Sequence, residues 1–90
     1  MSVVIVKMDR SGRVVDYTTN ATRIDSRKFN TILSKAVDIA RIQILAFERL
    51  GLHSVKNVSV ETDEFTLMIG RGETGNLLVV TLKSEAEASA

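Results

Sequence analysis

Val3-Val4-Ile5-Val6-Lys7-Met8-Asp9-Arg10-Ser11-Gly12-Arg13-Val14-Val15-Asp16-Tyr17-Thr18 is the stretch on which the fold turns. Its first six residues are rich in β-branched side chains, which suit a pleated strand. Asp9 to Gly12 supplies turn chemistry, because glycine reaches positive φ without steric cost. Residues 13–18 then read as a second strand, with Val15 and Tyr17 on one face and Asp16 on the other. The two strands form a hairpin.

Outward from the hairpin, residues 20–24 are a connection. Asp25 or Ser26 can cap a helix, since a short side-chain oxygen accepts a bond from an orphan N–H of the first turn. Apolar residues then recur at Phe29, Ile32, Leu33, Ala36, Val37, Ala40, Ile44 and Phe47. That spacing marks one face of a helix over 26–50, about 37 Å long at 1.5 Å per residue. Gly51 ends it by taking a left-handed C′ position. Strands are expected over 55–62, 65–69 and 77–83, with a turn at Thr62-Asp63-Glu64 and a glycine-rich loop over 70–76. Residues 1–83 form a single α+β domain, and 84–90 is an Ala/Glu-rich tail too short to hold a helix alone.

The order is β-β-α-β-β-β. The first, fourth and fifth strands are nearly continuous in apolar residues, whereas the second and third alternate. Continuous strands suit the middle of a sheet and alternating ones its edges. With adjacent hairpins paired, a five-stranded antiparallel sheet of order 2-1-5-4-3 results. One face gathers Val4, Val6, Met8, Phe65, Leu67, Ile69, Leu78, Val80 and Leu82, and the helix packs across it.

Composition narrows the function. The 90 residues carry a net charge of +1 and no cysteine, so disulfides and thiolate metal sites are excluded. A near-neutral chain with four aromatic residues has neither the charge nor the stacking platform of a nucleic-acid binder. No apolar run approaches the roughly 18 residues of a membrane span. No signal peptide precedes Val3, so we expect a soluble, cytoplasmic protein. Two glycosylation tripeptides, at Asn20 and Asn57, are then coincidental.

Candidate chemistry is sparse. Gly70-Arg71-Gly72-Glu73-Thr74-Gly75 fits the dinucleotide fingerprint, but a strand follows it where a helix N-terminus is required. His53 is the only histidine and has no partner for a triad or a metal. Glu61, Asp63 and Glu64 crowd one turn without the spacing of a calcium loop. No catalytic, cofactor or metal residue is assigned. The helix, by contrast, carries more apolar surface than one sheet needs. Ile42 and Leu45 fall on its far side beside Asp38, Arg41 and Arg49, and Ile39 and Ala46 connect the two stripes along one flank. A helix buried by its own sheet and by a partner has this pattern.

The strand and Asp-x-x-Gly turn of residues 3–15, the helix over 26–50, and the strands Phe65-Thr66-Leu67-Met68-Ile69 and Leu77-Leu78-Val79-Val80 together resemble the roadblock (dynein light-chain) family over about residues 3–83. Profilin-like domains share much of the pattern. The roadblock resemblance implies a non-enzymatic homodimer with paired helices and joined third strands. It also implies a scaffold or regulator of a small Ras-like GTPase, with no cofactor. The interface would then comprise Ile39, Ile42, Leu45, Ala46, Arg49, Val58 and Val60. Most members begin with a helix over the second sheet face. Met1-Ser2 leaves no room for one, so Val3, Ile5, Leu77 and Val79 are expected to lack cover. A small-molecule-sensing profilin-like domain and a nucleotide-binding module are the alternative readings.

Overall fold

Asp9 builds the first turn. In the computed structural model, which describes residues 2–21, 25–52 and 56–83, its Oδ1 accepts bonds from the backbone N–H of Ser11 and Arg13 and from the Ser11 hydroxyl. The Ser11 hydroxyl is the chief reason that the carboxyl lies below its ordinary range, with the Arg13 N–H next. Gly12, at φ 90°, completes the turn. The strands that it joins are β1, Val3–Met8, and β2, Val14–Thr19.

The pairing of β1 with β2 corrects one sequence expectation. Lys7 lies opposite Asp16 but Met8 lies opposite Val14, so Val15 is the extra residue of a β-bulge. Val15 opens onto a cleft that it shares with Lys7 and Leu77, whereas Tyr17 stays opposite Val6 on the other face. Strict alternation therefore fails between Val15 and Tyr17, because a bulge consumes one residue of the two-residue period.

The helix α1, Ser26–Arg49, starts at Asp25, whose Oδ1 accepts the Arg27 N–H at 2.9 Å. At its far end Gly51, at φ 67°, donates to the Glu48 carbonyl, and the Leu52 N–H reaches the Phe47 carbonyl. This double closure satisfies carbonyls that the helix itself leaves orphaned. Residues 22–24 of the connection, His53, Val55 and the tail 84–90 lie outside the described residues.

The remaining strands are β3, Asn57–Glu61; β4, Phe65–Arg71; and β5, Asn76–Leu82. The sheet is antiparallel with order β2-β1-β5-β4-β3, as the distribution of continuous and alternating strands predicts. Its register lines up apolar rows on one face. Val4, Val80, Leu67 and Val60 form one row, and Val6, Leu78, Ile69 and Val58 the next. The nine side chains assigned to this face are all buried, as are Ile32, Ala36, Val37, Ala40 and Ile44 of α1. Burying one such aliphatic side chain fully contributes about 1.5–3 kcal/mol.

Three contacts fix α1 and the segment just after it on the sheet. The Arg41 Nε donates to the Gly12 carbonyl at 2.8 Å, Lys35 pairs with Glu64 at 2.8 Å, and the Arg71 Nη1 donates to the Leu52 carbonyl at 3.0 Å. Arg41 thus ties the helix to the β1–β2 turn and Lys35 ties it to the β3–β4 turn. Among the described residues no helix is long and apolar enough to cross a membrane.

The glycine-rich segment is shorter and tighter than the sequence reading of a loop over 70–76. Gly70 and Arg71 continue β4 and Asn76 opens β5, which leaves four residues, closed by a bond from the Gly72 N–H to the Gly75 carbonyl. A β-carbon at Gly75 would drive into the backbone carbonyl of Met8. The glycine spacing here serves the close approach of a hairpin to β1.

Candidate interaction surface

The surface begins with the periodicity of α1. At 100° per residue, Leu45 lies about 180° from the wholly buried Ala36, and Ile42 about 120° from it on the other side. Ile42 is accordingly 66% exposed and Leu45 57% exposed. Arg49 is exposed, and Ile39 and Ala46 are half-buried. Ile39 packs against the margin of the core, as do Val58 and Val60 of β3. The flank of the helix that carries Ile39 therefore lies on the β3 side of the sheet, and the Lys35–Glu64 pair sits on the same side.

The two sheet edges differ. On β2, the backbone N–H of Tyr17 is taken by the Oδ1 of Asp16 at 2.8 Å, and the bulge lies two residues away. Both features blunt an edge against further pairing. On β3, no side chain among the described residues bonds to the strand's backbone. Arg71 donates to the Lys56 carbonyl and Thr62 donates to the Phe65 carbonyl. Antiparallel pairs alternate, so Val58 and Val60 bond to β4 while the N–H and C=O of Asn57, Ser59 and Glu61 point outward. The alternating pattern places Val58 and Val60 on the core-facing side but carries no sign of which residues present the open backbone. That follows only from the register.

The second sheet face is uncovered by α1. Ile5, Val79 and Met68 form a cross-strand row on it, with Leu77 and Val3 adjoining. Ile5 and Leu77 are exposed, and Val3 and Val79 are half-buried. Met68, more than half exposed, belongs to the same patch. Its place follows from the alternation Phe65, Leu67, Ile69, which turns residue 68 to the opposite face.

The remaining candidates resolve into structural contacts. Glu61 pairs with Lys83 at 2.9 Å and Glu64 with Lys35, so the acidic turn is divided between two cations and Asp63 is left exposed at its tip. Beside the four-residue loop an open cleft of about 250 Å³ has Arg10, Lys56 and Arg71 among its lining residues, but also Glu48 and Glu73. Arg71 is spent on the helix terminus, 3.7 Å from Glu48 and with its guanidinium 5.4 Å from the centre of the Phe47 ring.

Comparison with known proteins places this geometry. No family model matches the chain. No curated protein matches it. Solved structures do. MglC from Myxococcus xanthus superposes with a TM-score of 0.60 at 19% identity, over 90% of this chain and 67% of that one. A Roadblock/LC7 domain from Streptomyces avermitilis gives a TM-score of 0.52 at 22% identity, over 98% of this chain and 71% of that one. The fold is the roadblock fold. In this roadblock fold the flank of α1 that carries Ile39 lies towards β3, the exposed Ile42 and Leu45 lie on the side of α1 turned from the sheet, and the apolar row of Ile5, Met68 and Val79 lies on the face that α1 does not cover.

Proposed function

We propose that the chain works by binding other proteins, without catalysis, as a cytoplasmic homodimeric module that scaffolds or regulates a small Ras-like GTPase. The observation that carries the dimer is the open backbone edge of β3, with exposed apolar residues on the helix of the same domain. Ile42 and Leu45 are exposed on α1, and β3 presents backbone groups that nothing described here caps. A two-fold axis beside β3 joins edge to edge and helix to helix in one operation. Ile39, Ile42, Leu45, Ala46 and Arg49 would line the helical part. Asn57, Ser59 and Glu61 would supply the backbone bonds, with Val58 and Val60 beneath them. An interface of roughly 1,200–2,000 Å² in total is the usual size for such a dimer. The GTPase part of the reading comes from the roadblock resemblance, and the roadblock fold supports it.

Light scattering on the wild-type chain at micromolar concentration tests the first part, with twice the chain mass expected and a monomer refuting it. Titration of a purified Ras-like GTPase, loaded with either GDP or a GTP analogue and followed by its nucleotide-release rate and by co-elution, tests the second. Absence of both effects across the GTPases of the source organism would refute it.

A further inference from the structure

The sheet face that α1 leaves uncovered has a pattern nearly symmetric about β5. The register sets Thr18, Ile5, Val79, Met68 and Ser59 in one row across all five strands. An apolar residue flanks Val79 on each side, and a hydroxyl closes each end. Ile5 is 39% exposed and Met68 54% exposed. Charge is confined to the rim. Lys7 lies opposite Asp16 at one corner, and Lys83 pairs with Glu61 at 2.9 Å near the diagonal corner. Opposite signs are thus already neighbours there, and the central row carries no charge.

We propose that this face binds the same face of a second copy, sheet on sheet, about a two-fold axis that runs along β5. The contact uses neither the backbone edge of β3 nor α1, so it is independent of the dimer proposed above. Such an axis exchanges the two halves of the row. Val79 then meets Val79, Ile5 meets Met68, and Thr18 meets Ser59 of the second copy. Sheets packed face to face lie about 10 Å apart and cross at about 30°, which preserves the partners nearest the axis. In the next row Leu77 meets Leu77, and Lys7 meets Gly70, which has no side chain to enclose the ammonium. An axis along the row would instead set Val3 against Lys7 and desolvate a charge.

Charge and area favour this occupant. A strongly charged partner is not selected, because the charges of the face lie beside their opposites and the whole chain carries only +1. The same balance lets two copies approach without strong repulsion. Five strands about 4.8 Å apart and three rows of outward-facing residues cover about 24 Å by 20 Å. That is roughly 500 Å² per copy and about 1,000 Å² in all, the lower limit of a specific interface. The association is accordingly weak, and it appears above the micromolar range in which the β3 edge is tested.

Sedimentation equilibrium from micromolar to millimolar concentration tests this. The weight-average mass of the wild type should rise over that range, from whatever value the β3 edge sets at the dilute end. Ile5→Lys and Met68→Glu should each raise the dissociation constant of this association on the order of tenfold or more, and circular dichroism checks the fold of each variant. An equimolar mixture of the two should associate more tightly than either alone, because the new lysine meets the new glutamate while the remaining Ile5 meets the remaining Met68. A wild-type mass that stays constant up to millimolar concentration, or single variants that associate as the wild type does, would overturn the proposal and leave the face to residues 84–90 or to a foreign protein. A mixture no tighter than its components overturns the meeting of Ile5 with Met68 and hence the axis along β5. Failure of the β3 dimer lowers the mass at the dilute end and leaves each of these comparisons intact.

Discussion

Replacing Ile42 by aspartate separates dimerisation from folding. A fully buried isoleucine contributes roughly 1.5–3 kcal/mol. Ile42 is 66% exposed in the single chain, so about two thirds of that, ~1–2 kcal/mol, is left for a partner to gain. The substitution acts twice in a symmetric dimer and removes ~2–4 kcal/mol. At about 1.4 kcal/mol per tenfold, dissociation should strengthen by ~30-fold to several hundred-fold. Burial of a new carboxylate on each copy adds to this, and salt should not rescue it as it would a surface ion pair. The monomer should hardly respond. Exposed substitutions usually change stability by less than about 0.5 kcal/mol, and the new i,i+4 repulsion with Asp38 costs ~0.2–0.5 kcal/mol. Sedimentation equilibrium supplies the dissociation constants. Thermal unfolding is compared at a concentration low enough for both proteins to be monomeric, because a dimer's melting temperature depends on concentration. An Ile42→Asp variant with the wild-type dissociation constant would refute the reasoning, as would a variant that loses its fold at that dilution.

Val80→Asp should unfold the chain. Val80 is wholly buried between Val4 and Leu67, and an unpaired buried charge costs several kcal/mol against a total on the order of 5–13 kcal/mol for a domain of this size. A cooperative thermal transition near the wild-type temperature would contradict it. Gly75→Ala should cost ~1–3 kcal/mol by overpacking against the Met8 carbonyl, or roughly 5–20 °C in melting temperature. An unchanged melting temperature would show that the hairpin shifts freely on β1. Asp9→Asn should narrow its stability gap to the wild type as pH falls. The native carboxyl titrates below its ordinary range, chiefly through the Ser11 hydroxyl, so its contribution is present above the unfolded value and is lost as pH drops from roughly 5 towards 2. Melting curves for both proteins across that range check the sign, and a constant gap would count against it. Titration calorimetry with ATP, GTP or NAD should give no micromolar affinity that Gly72→Val abolishes.

Much of the fold was legible along the chain because each element states its own period. The spacing from Phe29 to Phe47 gives the helix, and the contrast between continuous and alternating strands gives the sheet order, since a central strand must bury both faces and an edge strand need not. Ile42 and Leu45 could be read as surplus by the same angular count. What the chain alone left undecided were features that depend on register and on distant neighbours. The bulge at Val15 exists because β1 and β2 fall out of step between Lys7 and Met8, and composition carries no mark of it. Gly75 fits a nucleotide motif in one dimension. In three it is the residue that lets a hairpin lie on the Met8 carbonyl. The difference between the two edges is also tertiary. Asp16 caps an N–H of β2, and the register of β3 against β4 turns Asn57, Ser59 and Glu61 outward. Sequence period fixes which side of an element is apolar. Only the packed structure decides which of its backbone groups are already satisfied.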